Sequence, residues 1–236
     1  MKDFIFQYYI DLVLFVEILA AVTGLILYKK YSQTIAKYFI LFLCYVVLLS
    51  TVGRYTLYID DGFLYFLKGT IFERNYWLYT IMWKICAVIF FSCYFQRILK
   101  SIVNITILKY STYVFLGISV FTILTNLDFF FKGSFPIIYI CGGIIILQCA
   151  FFYFFEILQS DAILNFHKSL NFYIACAILF FWLIKTPLVF YEIYYTKADL
   201  NYVLLRSYIN IAVIFTMYLT FTVGLIVSKP ELRMKT

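Results

Sequence analysis

Residues Leu170–Tyr191 read LNFYIACAILFFWLIKTPLVFY, an apolar run interrupted by a single charge, Lys185. A helix needs about 20 mainly apolar residues to cross the hydrocarbon core of a bilayer, and this stretch meets that length. Six further stretches share the pattern: Tyr9–Tyr28, Tyr38–Tyr55, Tyr76–Phe95, Ser111–Leu127, Phe135–Leu158 and Tyr202–Val227. They are too long and too rich in Leu, Ile and Phe for barrel strands, which run about ten residues with polar alternation. A helix also satisfies its own backbone hydrogen bonds, as lipid requires. The reading is an all-α, polytopic membrane bundle of seven transmembrane helices, taken as a single domain over residues 1–236.

Composition supports the same solvent. Apolar residues make up 65% of the 236, while Lys, Arg, Asp and Glu make up 13%, about half the usual share of a globular protein. A soluble fold of this size exposes too much surface to hide so much apolar material. A disordered chain, a secreted disulfide scaffold and a soluble nucleic-acid binder are excluded on the same grounds.

The excess of 19 basic over 12 acidic residues reads as orientation, because cytoplasmic loops collect Lys and Arg. Arg54, Lys84, Lys185 and Arg206 fall within or at the edge of spans and are set aside. Lys29, Lys30, Lys37, Arg97, Lys100, Lys109, Lys168, Lys229, Arg233 and Lys235 share one side, against Lys2, Lys68, Arg74, Lys132 and Lys197 on the other. The N-terminus is therefore expected outside and the C-terminus in the cytoplasm, in a multi-pass protein of the inner (cytoplasmic) membrane. The first helix is read as retained, since Glu17 interrupts the uniform apolar run that a cleaved signal needs.

The connecting segments are short and polar. The longest, Thr56–Asn75, suits either a hairpin or an interfacial cap. All six cysteines lie in apolar spans without a C-x-x-C pair, which suits packing. The single histidine, His167, has no sequence partners for a zinc site or a catalytic triad. Neither a P-loop, a G-x-S-x-G nor an H-E-x-x-H is present. No enzymatic activity, cofactor or metal is expected.

What stands out is charge at depth, which costs several kcal/mol per residue and usually faces the bundle interior. Glu17 falls in helix one, Lys84 in helix three, Lys185 in helix six and Arg206 in helix seven, with Arg54 closing helix two. Trp182, Lys185, Val189 and Glu192 recur at helical spacing. So do Trp77, Thr80 or Ile81, and Lys84. Arg206 and Asn210 stack one turn apart, and Ala20, Ala21 and Gly24 make a small-residue face beside Glu17. In the expected orientation these groups occupy the outer half, with more cations than acids. Glu17, Arg54, Lys84, Trp182, Lys185, Arg206 and Asn210 are thus the candidate ligand-binding residues, and the expected ligand is small and anionic or amphipathic. Glu17 is the internal counter-charge. Toward the cytoplasm, Glu156 is placed to pair with His167 or Lys168, or to stand in water. Pro187 is expected to free the Leu183 carbonyl and kink helix six.

The run Glu156–Tyr191 (EILQSDAILNFHKSLNFYIACAILFFWLIKTPLVFY), with Lys29–Leu41 (KKYSQTIAKYFIL) and the Asn75-Tyr76-Trp77 start of helix three, resembles a group of small bacterial seven-helix membrane proteins. That resemblance implies a sensory module working with a separate cytoplasmic signalling protein. The functional expectation is a non-enzymatic sensor or receptor in the lipid bilayer, binding a small anionic ligand and no nucleic acid. A transporter or channel for a small anionic solute is the alternative. A third reading is a scaffold subunit using its Ala20/Gly24 face for assembly.

Overall fold

The computed structural model describes residues 2–60, 62–194 and 200–230. The chain is all-α, with seven helices long and apolar enough to cross a membrane. They are α1 (Lys2–Ile26), α2 (Ala36–Gly53), α3 (Tyr76–Gln96), α4 (Ile102–Thr125), α5 (Pro136–Leu158), α6 (Leu170–Tyr194) and α7 (Leu200–Val227). This defines a multi-pass membrane protein. Because connections are short, successive helices alternate in direction. Odd-numbered helices begin, and even-numbered ones end, at the face where the chain starts, here the N-terminal face.

The helices close into a ring. α1 packs against α2 and α7, α7 against α6, α6 against α5, and α5 against α4 and α3. The ring closes between α2 and α3, where Phe42 stacks on Phe90 with centroids 4.1 Å apart and Phe91 meets Phe42 edge-on. Lipid tails are as apolar as leucine, so burial alone does not drive helices together; close packing and interhelical hydrogen bonds do. Both are present. Ser92 of α3 bonds Thr112 of α4 at 2.6 Å, and Tyr94 of α3 donates to Asn171 of α6 at 2.7 Å. Near the opposite face, Tyr31 donates to the Leu225 carbonyl at 2.9 Å, helping to close the C-terminal turns of α7.

Small residues set two of the contacts. A Cβ on Gly142 would stand 2.9 Å from the buried Val88 side chain, so α5 approaches α3 more closely than any larger residue permits. Gly24 of α1 sits against Ile40 of α2, and Ala20 and Ala21 are buried within the chain. This corrects the reading of that face as a surface for an assembly partner, since α1 spends it inside its own bundle.

The fourth span is also corrected. It begins at Ile102, nine residues before the sequence-based boundary of Ser111. Asn104 and Lys109 make the stretch look like a loop, but tertiary contacts make it helix. Ser101 caps the first turn by accepting from the Asn104 N–H at 3.4 Å. Glu156 of α5 accepts the backbone N–H groups of Lys100 (2.8 Å) and Ser101 (3.0 Å) and the Asn104 side-chain amide (3.2 Å). A carboxylate at a helix N-terminus satisfies free amides and meets the positive end of the helix dipole. Glu156 is therefore the cap of α4, and not the ion-pair partner of His167 or Lys168. Lys109 projects to the exposed side, where a long side chain reaches polar surroundings.

Between α2 and α3 the chain forms a cap, not a hairpin. Two 3-10 turns, Arg54–Tyr58 and Tyr65–Leu67, are tied by an ion pair of Lys68 with Asp60 at 3.0 Å. Gly69 takes a φ of +79°, a conformation that side-chain-bearing residues avoid, and turns the chain back toward α3. Tyr55 donates to the Phe72 carbonyl, and the Asn75 side chain to the Gly53 carbonyl, both at 2.8 Å, so the cap is fastened to both helices it joins. α6 runs unbroken from Leu170 to Tyr194 through Pro187. Beside the proline, the Thr186 hydroxyl donates to the Trp182 carbonyl at 2.7 Å.

Candidate ligand-binding site

A cavity of about 330 Å³ lies inside the N-terminal half of the ring, lined by residues of α1, α2, α3, α5, α6 and α7. Four of the seven candidate residues line it: Glu17, Arg54, Lys84 and Lys185. They arrive from α1, α3, α6 and the 3-10 turn that follows α2, so only the closed ring brings them together. Tyr9, Ser50, Tyr79, Tyr139 and Tyr218 add hydroxyl groups to the same wall, and Val46, Leu49, Phe181 and Met217 supply apolar surface.

Lys84 owes its place to an irregular helix. Residues Thr80–Ile85 of α3 form a π-helical segment, with ordinary α-helix before and after it. Hydrogen bonds in a π turn close over five residues instead of four, which stacks residue i+5 above residue i. Tyr79 and Lys84 have that spacing, and both line the cavity together with Trp83. The face expected from regular periodicity, Trp77 with Thr80 or Ile81 and Lys84, is thus replaced by Tyr79, Trp83 and Lys84. The widened turn is held from α2, where the Tyr45 hydroxyl donates to the Met82 carbonyl at 2.7 Å. Tyr79 in turn fits because position 53 is glycine; a Cβ there would collide with its hydroxyl.

Both lysines lie deep. Lys84 is eight residues into α3 and Lys185 nine residues before the end of α6, or about 12 to 14 Å along the helices from the N-terminal face. Each is held by a neutral oxygen. Lys84 donates to the Ser134 hydroxyl, from the segment leading into α5, and Lys185 donates to Asn210 Oδ1 of α7 at 2.6 Å. Lys84 and Arg206 are both within electrostatic reach of Lys185. Like charges gathered in a low-dielectric interior repel strongly unless a counter-charge joins them.

The remaining charges are arranged differently. Arg54 pairs with Asp11 of α1, an acid that the sequence reading did not place among the candidate site residues. Glu17 is only 6% exposed and lies beside the hydroxyls of Ser50 and Tyr218, with Arg54 within electrostatic reach. Its Oε2 has no hydrogen-bond partner among the described residues. Ion pairs among the described residues are Arg54–Asp11 and Lys68–Asp60, so Glu17 forms no direct bridge to Lys84 or Lys185. The expected role of Glu17 as internal counter-charge to a lysine is not what the geometry provides.

The other three candidates stand behind the wall. Trp182 is buried and stacks on Tyr139 with centroids 4.4 Å apart, backing the cavity without lining it. Asn210 positions Lys185. Arg206, one turn nearer the N-terminal face on α7, is not among the lining residues and acts on Lys185 through its field. The Glu192 side chain lies outside the described residues. Tyr9, Tyr79, Tyr139 and Tyr218 were legible as apolar-span residues only; four tyrosines at depth were the available signal. No protein-family model, curated protein or solved structure matches the chain.

Proposed function

We propose that the protein is a receptor-like sensor of the cytoplasmic membrane that binds a small anionic ligand in this cavity and signals to a cytoplasmic partner. The observation that carries the proposal is that, among the described residues, Lys84 and Lys185 are held by neutral oxygens, in a cavity of about 330 Å³. Two ammonium groups at that depth cost roughly 2.5–3.5 kcal/mol each near a helix centre by insertion scales. Serine and asparagine oxygens position such charges but do not neutralise them, and an incoming carboxylate or phosphate would do so. The volume matches the lower end of small-molecule sites, which are concave and mostly apolar with a few fixed polar groups.

With the N-terminus outside, as the basic loops favour, the cavity opens from the external half. A ligand joining α3, α6 and α7 would favour one arrangement of these helices over another, which is all that a population shift requires. The π segment carrying Lys84 and the proline-containing end of α6 are the elements suited to change. A transporter remains the competing reading, and direct assay separates the two. Isothermal calorimetry of the purified protein with butyrate and inorganic phosphate should give saturable binding. Lys185→Ala should weaken it at least tenfold, and Lys168→Ala should leave it unchanged. Equal effects of the two substitutions would sink the pocket; uptake of the bound anion into proteoliposomes would replace sensing with transport.

A further inference from the structure

Glu17 is the feature that a simple anion site does not explain. A site built for an anion alone gains nothing from a buried acid in its wall, since like charge weakens binding. Yet Glu17 lines the cavity, is buried, and keeps an oxygen without a donor among the described residues. A buried carboxylate oxygen left without a donor is unfavourable until a donor reaches it. Arg54, the nearest cation, is engaged by Asp11.

The acid and the lysines also reach the cavity from different helices, Glu17 from α1, Lys84 from α3 and Lys185 from α6. On α7, Asn210, Ile214 and Tyr218 recur at four-residue spacing and form one stripe along the cavity. Asn210 holds the Lys185 ammonium, Ile214 and Tyr218 line the wall, and Tyr218 stands beside Glu17. Asn210 and Tyr218 are eight residues apart, about 12 Å of helix rise. The cavity therefore carries the Glu17 carboxyl group on one wall and the Lys84 and Lys185 ammonium groups on others, with apolar Ile214 and Met217 in the same lining.

We infer that the occupant is a zwitterion, such as an amino acid with its amine and carboxylate separated by a short apolar chain. Its carboxylate lies against Lys84 and Lys185, and its ammonium reaches Glu17. This deepens the anion-binding reading above and rests on it. Specificity follows from the same physics: a site with a buried polar group rejects analogues that leave that group unpaired. Butyrate satisfies the lysines but strands Glu17, and butylamine does the reverse.

The test uses the full-length protein in lipid nanodiscs and four probes: 4-aminobutyrate, 6-aminohexanoate, butyrate and butylamine. At least one of the two amino acids should bind tenfold or more tighter than both single-charge probes. Glu17→Gln should bring the amino acids down to the affinity of butyrate while leaving butyrate itself unchanged. Should butyrate bind within tenfold of both amino acids in the unmodified protein, the zwitterion falls and the anion pocket stands. Absence of binding by all carboxylate probes would remove both. The comparison among probes in the unmodified protein decides the matter even if Glu17→Gln fails to fold.

Discussion

Lys185 illustrates how a single residue acquires meaning from its neighbours. Its long stem could carry a charge toward an interface, yet the ammonium is fixed by Asn210 at 2.6 Å inside the ring. Lys84 is fixed in the same way by Ser134. Glycine acts at the same scale by the absence of a side chain. Gly142 admits Val88, and the Trp182–Tyr139 stack lies beside it. Replacing Gly142 with leucine forces α5 away from α3 and α6, and overpacking of this kind typically costs about 1–3 kcal/mol. Thermal unfolding in detergent should show Gly142→Leu as clearly destabilised, whereas Gly117→Leu, where a Cβ meets open space, should be nearly neutral.

At the scale of the element, the π segment Thr80–Ile85 is the departure from regularity that matters most. Such segments behave as one extra residue accommodated within an α-helix and recur at functional sites. Deleting Ile81 should return α3 to a regular ladder and rotate Tyr79 against Lys84 by about 100°, the turn of one α-helical residue. Binding of butyrate by the deletion variant should fall at least tenfold while its far-ultraviolet circular dichroism stays helical; retained binding would mean that the π turn does not place Lys84. α4 shows a second lesson of this scale. Its start is fixed by Glu156 of another helix accepting two backbone amides, which no local propensity of residues 102–110 encodes.

For the whole molecule, the ring holds a cavity with charged walls in its N-terminal half, and its outer surface is apolar, from Phe15 on α1 to Phe121 on α4. Orientation in the membrane follows a different rule, the distribution of Lys and Arg among the loops. A C-terminal green fluorescent protein fusion should fluoresce and a C-terminal alkaline phosphatase fusion should be inactive, placing that end in the cytoplasm. The reverse pattern would turn the cavity toward the cell interior and assign its ligand to the cytoplasm. The chemistry of the lysines and Glu17 would be unchanged, so the inferred ligand class does not depend on this outcome.

The number of spans and the all-α class were readable from residue order because hydrophobic length is a local quantity, and lipid leaves the backbone few other options. Depth of the lysines was readable for the same reason. Which side chains meet was not. Asp11 pairs with Arg54, and Glu156, expected to pair with His167 or Lys168 or to stand in water, caps the start of α4 instead. The π turn exchanged Trp77 for Tyr79 on the working face of α3. These outcomes depend on contacts between helices distant in sequence, and period-counting along one helix carries no information about its neighbour. The sequence determined that charge lies within the membrane-spanning region; only the closed ring decided that it lines one cavity with an acid in its wall.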